Sequence, residues 1–157
     1  MTSGDRGGLL DRLRRTSADL VSLTGGAGDD QLRRRPDARE WSAFEVLAHL
    51  ADAELVYATR LRLIVTQERP PLVSYDEQGW VQRFAALEED PRTTVGRWRS
   101  LREANVALLR SLSDEEWARA GVHEDDGDLT VEAIVGRMVR HDADHLAQIR
   151  RALSSPN

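Results

Sequence analysis

Two histidines, His141 and His145, lie four residues apart near the C-terminus, in the stretch HDADHLAQIR. In a helix this spacing places both side chains on one face, one above the other. Met138 and Ile149 share that face, so it is predicted to be the face that packs into the protein interior. Burying a polar ring without a partner costs about 1–3 kcal/mol. Both imidazoles must therefore have partners in the fold.

A third histidine, His49, occupies an inward position of another predicted helix, between Val46 and Ala53 in EVLAHLADAEL. Each ring alone could be a core histidine bonded to a carbonyl or a carboxylate. Together, an i,i+4 pair and a third ring on a facing helix are what a three-histidine metal site in a bundle requires. Zinc or a similar divalent ion held in this way keeps a position for water or substrate, which is typical of catalytic sites.

Several polar residues could support such a site. Asp52 follows His49 by three residues, and Asp142 and Asp144 lie beside His141 and His145, between the two. Any of them could accept the distal ring proton that orients a ligating imidazole. They could instead belong to a solvated helix face, which we favour for Asp144. Gln148 could equally reach a water on the metal or a nearby loop.

The fourth histidine, His123, lies among acidic residues in GVHEDDGD, which we predict to be a loop. A solvated loop histidine is the favoured interpretation. The alternative is that His123 covers the mouth of the site.

Four long amphipathic helices are predicted to position these residues. The first carries apolar residues every three to four positions and ends at GGAGDD. The second begins at a capping box formed by Ser42 and Glu45 and must end before Pro70. Four helices with one apolar stripe each can cover one another only as a bundle, so the predicted fold class is an all-α four-helix bundle.

Further capping signals complete the helix assignment. Asp90 followed by Pro91 begins the third helix, and Thr130 caps the fourth. Short extra helices are predicted between the second and third helices, from the possible capping box Ser74–Glu77, and after the third, from Ser113–Glu116.

Length and composition narrow the functional classes. A chain of 157 residues is expected to be one domain, residues 1–157, with residues 1–8 as a flexible N-terminal tail. A net charge of −5 without a basic patch disfavours nucleic-acid binding, and no apolar run is long enough for a membrane span. A cytoplasmic location is expected.

The absence of cysteine excludes a cysteine nucleophile, and the absence of lysine excludes Schiff-base chemistry.

The pair HDADH differs from the zinc-protease motif HExxH because Asp142 replaces the glutamate, which argues against a peptidase of that type. Two longer stretches, WSAFEVLAHLADAE from Trp41 and LTVEAIVGRMVRHDADHLAQIR from Leu129, resemble the DinB-like (DinB/YfiT) family of bacterial metal-binding four-helix bundles. The resemblance extends from the second helix to the fourth. It implies that His49, His141 and His145 hold the metal.

The resemblance also implies a function. Members of this family use the metal to activate a low-molecular-weight thiol (mycothiol, bacillithiol or glutathione) for S-transfer or isomerisation, and others are described as hydrolases. A coordinating thiol loses its proton to the ion, so a chain without cysteine can still carry out thiolate chemistry. We expect a metal-dependent thiol S-transferase acting on a small molecule, with zinc as the first choice of ion and nickel or iron as alternatives. A metal-activated hydrolase and a non-catalytic metal-binding stress or interaction protein remain alternatives, and the family implies a homodimer.

Overall fold

A computed structural model describes residues 3–85 and 90–155 of the chain. Within them the chain forms the α-helices α1 (Ser3–Gly25), α2 (Asp29–Arg33), α3 (Ala43–Thr66), α4 (Glu77–Phe84), α5 (Pro91–Ser111), α6 (Asp114–Ala118) and α7 (Val131–Ser154). It also forms three short strands, β1 (Pro71–Leu72), β2 (Ala120–His123) and β3 (Gly127–Thr130).

The four long helices α1, α3, α5 and α7 form a bundle, in which α3 packs against α5 and α7, and α1 packs against the same two helices. The predicted all-α four-helix bundle is confirmed, and α4 and α6 are the expected short helices. The short helix α2 was not predicted. It lies in an arginine-rich segment that has no apolar periodicity. None of the helices in the described part of the chain combines the length and apolar character needed to cross a membrane.

The capping signals act largely as predicted. The Ser42 hydroxyl accepts the Glu45 N–H at 3.1 Å, and the Glu45 carboxylate accepts the Ser42 N–H at 2.8 Å. The Thr130 hydroxyl accepts from the Ala133 N–H at 3.0 Å. The prediction for α4 is wrong in detail, because Asp76 rather than Ser74 caps that helix.

The N-terminal segment differs from the prediction. Residues 1–8 were expected to be a flexible tail, but α1 already begins at Ser3. Arg6 explains the difference, because its guanidinium pairs with Asp114 and Glu132 and lies 5.2 Å from the ring centroid of Trp117. Residues 1 and 2 of the expected tail lie outside the described residues.

The segment GVHEDDGD is a β-hairpin rather than the predicted loop. Strand β2 pairs antiparallel with β3, with His123 opposite Gly127, and pairs parallel with β1, with Leu72 opposite His123. Gly127 forms the turn with φ +70°, a conformation that favours glycine. A Cβ at Gly121 would meet the Leu72 side chain at 2.7 Å, so glycine allows β1 to approach β2. These strands are too short to show an alternating pattern in the sequence.

The interior of the bundle contains two apolar clusters, each with residues from all four long helices. One includes Leu13, Leu61, Ile64, Val106, Leu109, Ile134 and Met138. The other includes Leu20, Val46, Leu47, Leu50, Trp98, Leu146 and Ile149.

A charged layer separates the two clusters along the helices. Arg102 on α5, whose side chain is 2% exposed, donates to Asp142 on α7 at 2.6 and 3.0 Å and to Glu54 on α3 at 2.7 Å. It also donates to the Leu13 carbonyl of α1 at 3.2 Å, and Asn105 donates to Glu54 at 2.8 Å. This buried layer therefore connects all four long helices.

Replacing Arg102 by Met should lower the free energy of unfolding by about 3–5 kcal/mol, because two carboxylates would remain buried without their cation. Urea unfolding followed by circular dichroism measures this change. Arg110→Met, an exposed position on the same helix, is the matched control and should change stability by no more than about 0.5 kcal/mol. A loss below about 1 kcal/mol for Arg102→Met, typical of a surface ion pair, would contradict this account of the layer.

Candidate metal centre

The three histidines predicted to form a site converge in the structure. Nε2 of His49 lies 2.9 Å from Nε2 of His141. One ring nitrogen from each of His49, His141 and His145 lies within 4.8 Å of the other two, so the three rings could hold one metal ion. The ring centroids are 4.3 to 5.0 Å apart.

Helix geometry explains why the α7 pair faces α3. Asp142 points into the bundle toward Arg102, and successive helical residues are rotated by about 100°. His141 and His145 therefore lie roughly 60–100° to one side of Asp142, where α3 presents His49. The two α7 rings are partly exposed, whereas Asp142 and Leu146 are buried. The face that carries the pair was predicted to pack into the interior, but the two rings lie at the edge of the buried stripe, with His141 beside a cavity.

A hydrogen bond to Gln148 holds the ring of His145 in place. Nδ1 of His145 lies 2.9 Å from Oε1 of Gln148, an atom that can only accept, so Nδ1 is the donor in this contact. Gln148 thus contacts one of the three rings, a partner that the sequence analysis did not consider. Nδ1 of His49 is buried and has no hydrogen-bond partner among the described residues.

The surroundings keep two of the rings neutral. Burial, followed by the neighbouring His145 ring, lowers the pKa of His49 to about 4. Burial, followed by repulsion from His145, His49 and Arg102, lowers the pKa of His141 to about 3. Neutral imidazoles have the free lone pairs that a metal ion needs.

The observed contacts of the neighbouring carboxylates Asp142 and Asp52 lead to arginines rather than to these rings. Asp142 is 2% exposed and bonded to Arg102, so neither proposed role, as a ring partner or on a solvated face, fits it. Asp52 is also buried, with Oδ1 3.8 Å from Arg97. Asp144 is exposed, as predicted.

A cavity of about 230 Å³ opens beside His141, between α3, α4, α7 and the small sheet. His123 lines it and is 7% exposed, so the prediction of a solvated loop histidine is wrong. The sheet explains this burial, because strand β2 turns the ring toward Arg60 Nη2 at 3.2 Å and Ser74 Oγ at 3.4 Å. The alternative position, at the mouth of the site, agrees with the structure.

Sequence reasoning missed several residues around the site. Tyr57, Arg60, Tyr75 and Arg137 line the cavity, and only their three-dimensional arrangement identifies them.

The charged layer, by contrast, could have been predicted from the sequence. Glu54, Arg102 and Asp142 each fall at an inward-facing position of an amphipathic helix, where an isolated charge would be costly.

Comparison with known proteins assigns the chain to a family. It belongs to the DinB superfamily, whose sequence model matches residues 12–149. The "Putative metal-dependent hydrolase YfiT" of Bacillus subtilis is 32% identical over 110 residues, which cover 69% of this chain and 62% of that protein. A protein of Oceanobacillus iheyensis that is also named a metal-dependent hydrolase is 28% identical over 140 residues, covering 87% of this chain and 78% of that protein.

Solved structures agree with this assignment. The structure of Bacillus subtilis YfiT superposes with a TM-score of 0.90 at 27% identity, covering 97% of this chain and 87% of that one. The crystal structure of a mycothiol-dependent maleylpyruvate isomerase superposes with a TM-score of 0.74 over 95% of this chain and 63% of that one. Its sequence identity is only 13%, so this second similarity concerns the fold alone.

The lowered pKa values predict how the stability of the metal-free protein depends on pH. Unfolded histidines take up protons near their ordinary pKa of 6.5, while the folded rings of His49 and His141 stay neutral down to about 4 and about 3. Below pH 6.5 the unfolded chain therefore binds more protons, and the free energy of unfolding should decrease as the pH falls toward 4.

Urea unfolding of the chelator-treated protein across this pH range tests the prediction. His141→Gln should show a shallower decrease than the wild type, because one buried ring is removed while the carboxylates common to both proteins still titrate. Parallel curves for the two proteins would contradict the prediction.

Proposed function

We propose that His49, His141 and His145 hold a divalent metal ion and that the protein is a metal-dependent enzyme acting on a small molecule. The observation that carries the proposal is the convergence of three ring nitrogens within 4.8 Å of one another, with His141 at the wall of a cavity. Three imidazoles suit zinc, nickel and iron, and zinc is our first choice because it commonly takes three protein ligands in catalytic sites.

The spacing of the ring nitrogens is close to the spacing that a shared zinc ion requires. The 2.9 Å between Nε2 of His49 and Nε2 of His141 compares with roughly 3.3 Å between two nitrogens that share a tetrahedral zinc ion at about 2.0–2.1 Å each. Small ring movements are therefore enough. Gln148 holds the proton of His145 on Nδ1, which leaves Nε2 directed at the site.

The reaction we favour is transfer of a low-molecular-weight thiol to a small electrophile. When bound, the ion would stabilise the thiol sulfur in its deprotonated form. The chain supplies no thiol of its own, because it has no cysteine. Tyr57 lies edge-on to His141 with ring centroids 6.0 Å apart, and burial raises its pKa to about 12, so its hydroxyl remains a donor to a substrate in the cavity.

Hydrolysis is the second candidate, favoured by the names of the Bacillus and Oceanobacillus relatives. A three-histidine zinc site can activate water near neutral pH. In the part of the chain that the structure describes, no carboxylate hydrogen-bonds to the three rings, and Asp142 is committed to Arg102. Hydrolysis would therefore proceed without a carboxylate base at these rings, which is why we place it second.

Elemental analysis of the purified protein tests the metal site. The wild type should contain close to one divalent ion per chain, and His145→Ala should lose most of it, because removing one of three protein ligands weakens the site severely. His123→Ala is the matched control, since His123 lines the cavity but is not one of the three converging rings. Equal metal contents in wild type and His145→Ala would contradict the proposal.

Turnover assays separate the two reactions. With mycothiol, bacillithiol or glutathione and the electrophile monochlorobimane, the metal-loaded protein should form the thioether, and His145→Ala should reduce kcat/KM by at least about 100-fold. Chelator-sensitive ester or amide cleavage that needs no thiol would instead favour the hydrolase. Absence of both activities, with metal bound, would favour the non-catalytic alternative. A homodimer and a cytoplasmic location stay predictions.

A further inference from the structure

Two residues that line the cavity beside His141 each have a buried hydrogen-bond donor without a partner among the described residues. These donors are the Nε–H of Arg60 and the hydroxyl of Tyr75. Buried polar groups are nearly always satisfied by protein or by bound molecules. Two unpaired donors on residues that line one cavity therefore indicate a ligand that brings hydrogen-bond acceptors.

Arg60 carries a charge that Glu124 and Asp126 balance only from beyond ion-pair distance. Its Nη2 group donates to the Val73 carbonyl at 2.6 Å and lies 3.2 Å from Nε2 of His123. These contacts fix the guanidinium against the small sheet, but neither partner is an anion. Among residues 3–85 and 90–155, no carboxylate forms an ion pair with Arg60.

The other charges around the cavity are arranged differently. Arg137 donates to Asp126 at 2.6 Å, so this second arginine of the cavity wall already has its carboxylate. Glu77 is exposed, at the start of α4, and makes no ion pair with Arg60. Among the described residues, Arg60 is thus the arginine of this wall that has no carboxylate at ion-pair distance.

Tyr75 is held in place as a donor. Its ring packs on Trp80 at 4.7 Å between centroids, and burial raises the pKa of its hydroxyl, which stays protonated at neutral pH. The nearby Ser74 hydroxyl is already committed to Asp125 at 2.7 Å. A ligand oxygen would therefore meet the Tyr75 hydroxyl and the Arg60 guanidinium.

We infer that Arg60 and Tyr75 form a carboxylate-binding subsite, which holds an anionic group of the molecule that reacts at the three histidines. A planar guanidinium with an adjacent neutral donor matches a singly charged carboxylate. This inference rests on the proposed function, because it places the reacting atom at His49, His141 and His145. The carboxylate could be carried by the thiol or by the electrophile.

Calorimetric titration of the zinc-loaded protein with two matched probe pairs tests the subsite. N-acetylcysteine and its amide place the carboxylate on a thiol, while succinate and succinamide provide it without sulfur. In at least one pair, the carboxylate should bind at least about tenfold more tightly than the amide, as expected for charge-assisted hydrogen bonds. The pair that shows the preference identifies the source of the carboxylate.

Variants then assign this preference to the two residues. Arg60→Gln should reduce the preference for the carboxylate over the amide to about threefold or less. Tyr75→Phe should weaken carboxylate binding by roughly 3- to 10-fold. Arg110→Gln removes the same charge from an exposed position of α5 and should leave the preference unchanged. Thermal melting checks folding, and Arg60→Lys, which keeps the charge but loses the planar fork, should retain an intermediate preference.

Several outcomes would overturn the inference. These are equal binding of carboxylate and amide, no measurable binding of either carboxylate at millimolar concentration, or a preference that persists in Arg60→Gln because the ion itself binds the carboxylate. Failure of the proposed function is distinguishable from these results. Absence of metal in the purified protein would reject the metal enzyme, whereas an Arg60-dependent preference in the metal-free protein would still support the subsite.

Discussion

The buried guanidinium of Arg102 imposes a constraint on the whole bundle, because a charge that is 2% exposed must find its partners inside the protein. It finds them on every other long helix, in Glu54 on α3, Asp142 on α7 and the Leu13 carbonyl on α1. Apolar side chains can pack in several registers, whereas these hydrogen bonds are satisfied in one. The layer thereby fixes the rotation and height of the four helices relative to one another.

The ion pair also constrains the orientation of the histidines, because Asp142 is close to them in the sequence. Asp142 directly follows His141 and precedes His145 by three residues, so the ion pair to Arg102 also directs both rings toward α3. The two parts of the interior have opposite electrostatic character. The charged layer contains a cation with its carboxylates, whereas the pKa values of His49 and His141 are lowered so that their rings remain neutral. Uncharged rings next to one another can approach without repulsion and offer their lone pairs to an ion.

The small sheet gives the site its second wall. Strand β1 leads into Ser74 and Tyr75, and strand β2 carries His123, so pairing of these distant segments closes the cavity over His141. Arg60 connects the bundle to this wall, because it extends from α3 to the Val73 carbonyl. The candidate site is thus assembled from a helical face that holds the imidazoles and a sheet-supported face that supplies hydrogen-bond donors.

The sequence by itself determined the local features of this protein. The capping boxes at Ser42 and Ser113 act within four residues, and the spacing of His141 and His145 places them on one helical face whatever the helix packs against. Only the tertiary structure decided which partners these elements meet. His123 is buried because β1 pairs with β2, and Asp142 serves Arg102 rather than a histidine because α5 lies opposite α7's inner face. Such contacts join residues 40 or more positions apart, and periodicity within one segment carries no information about them.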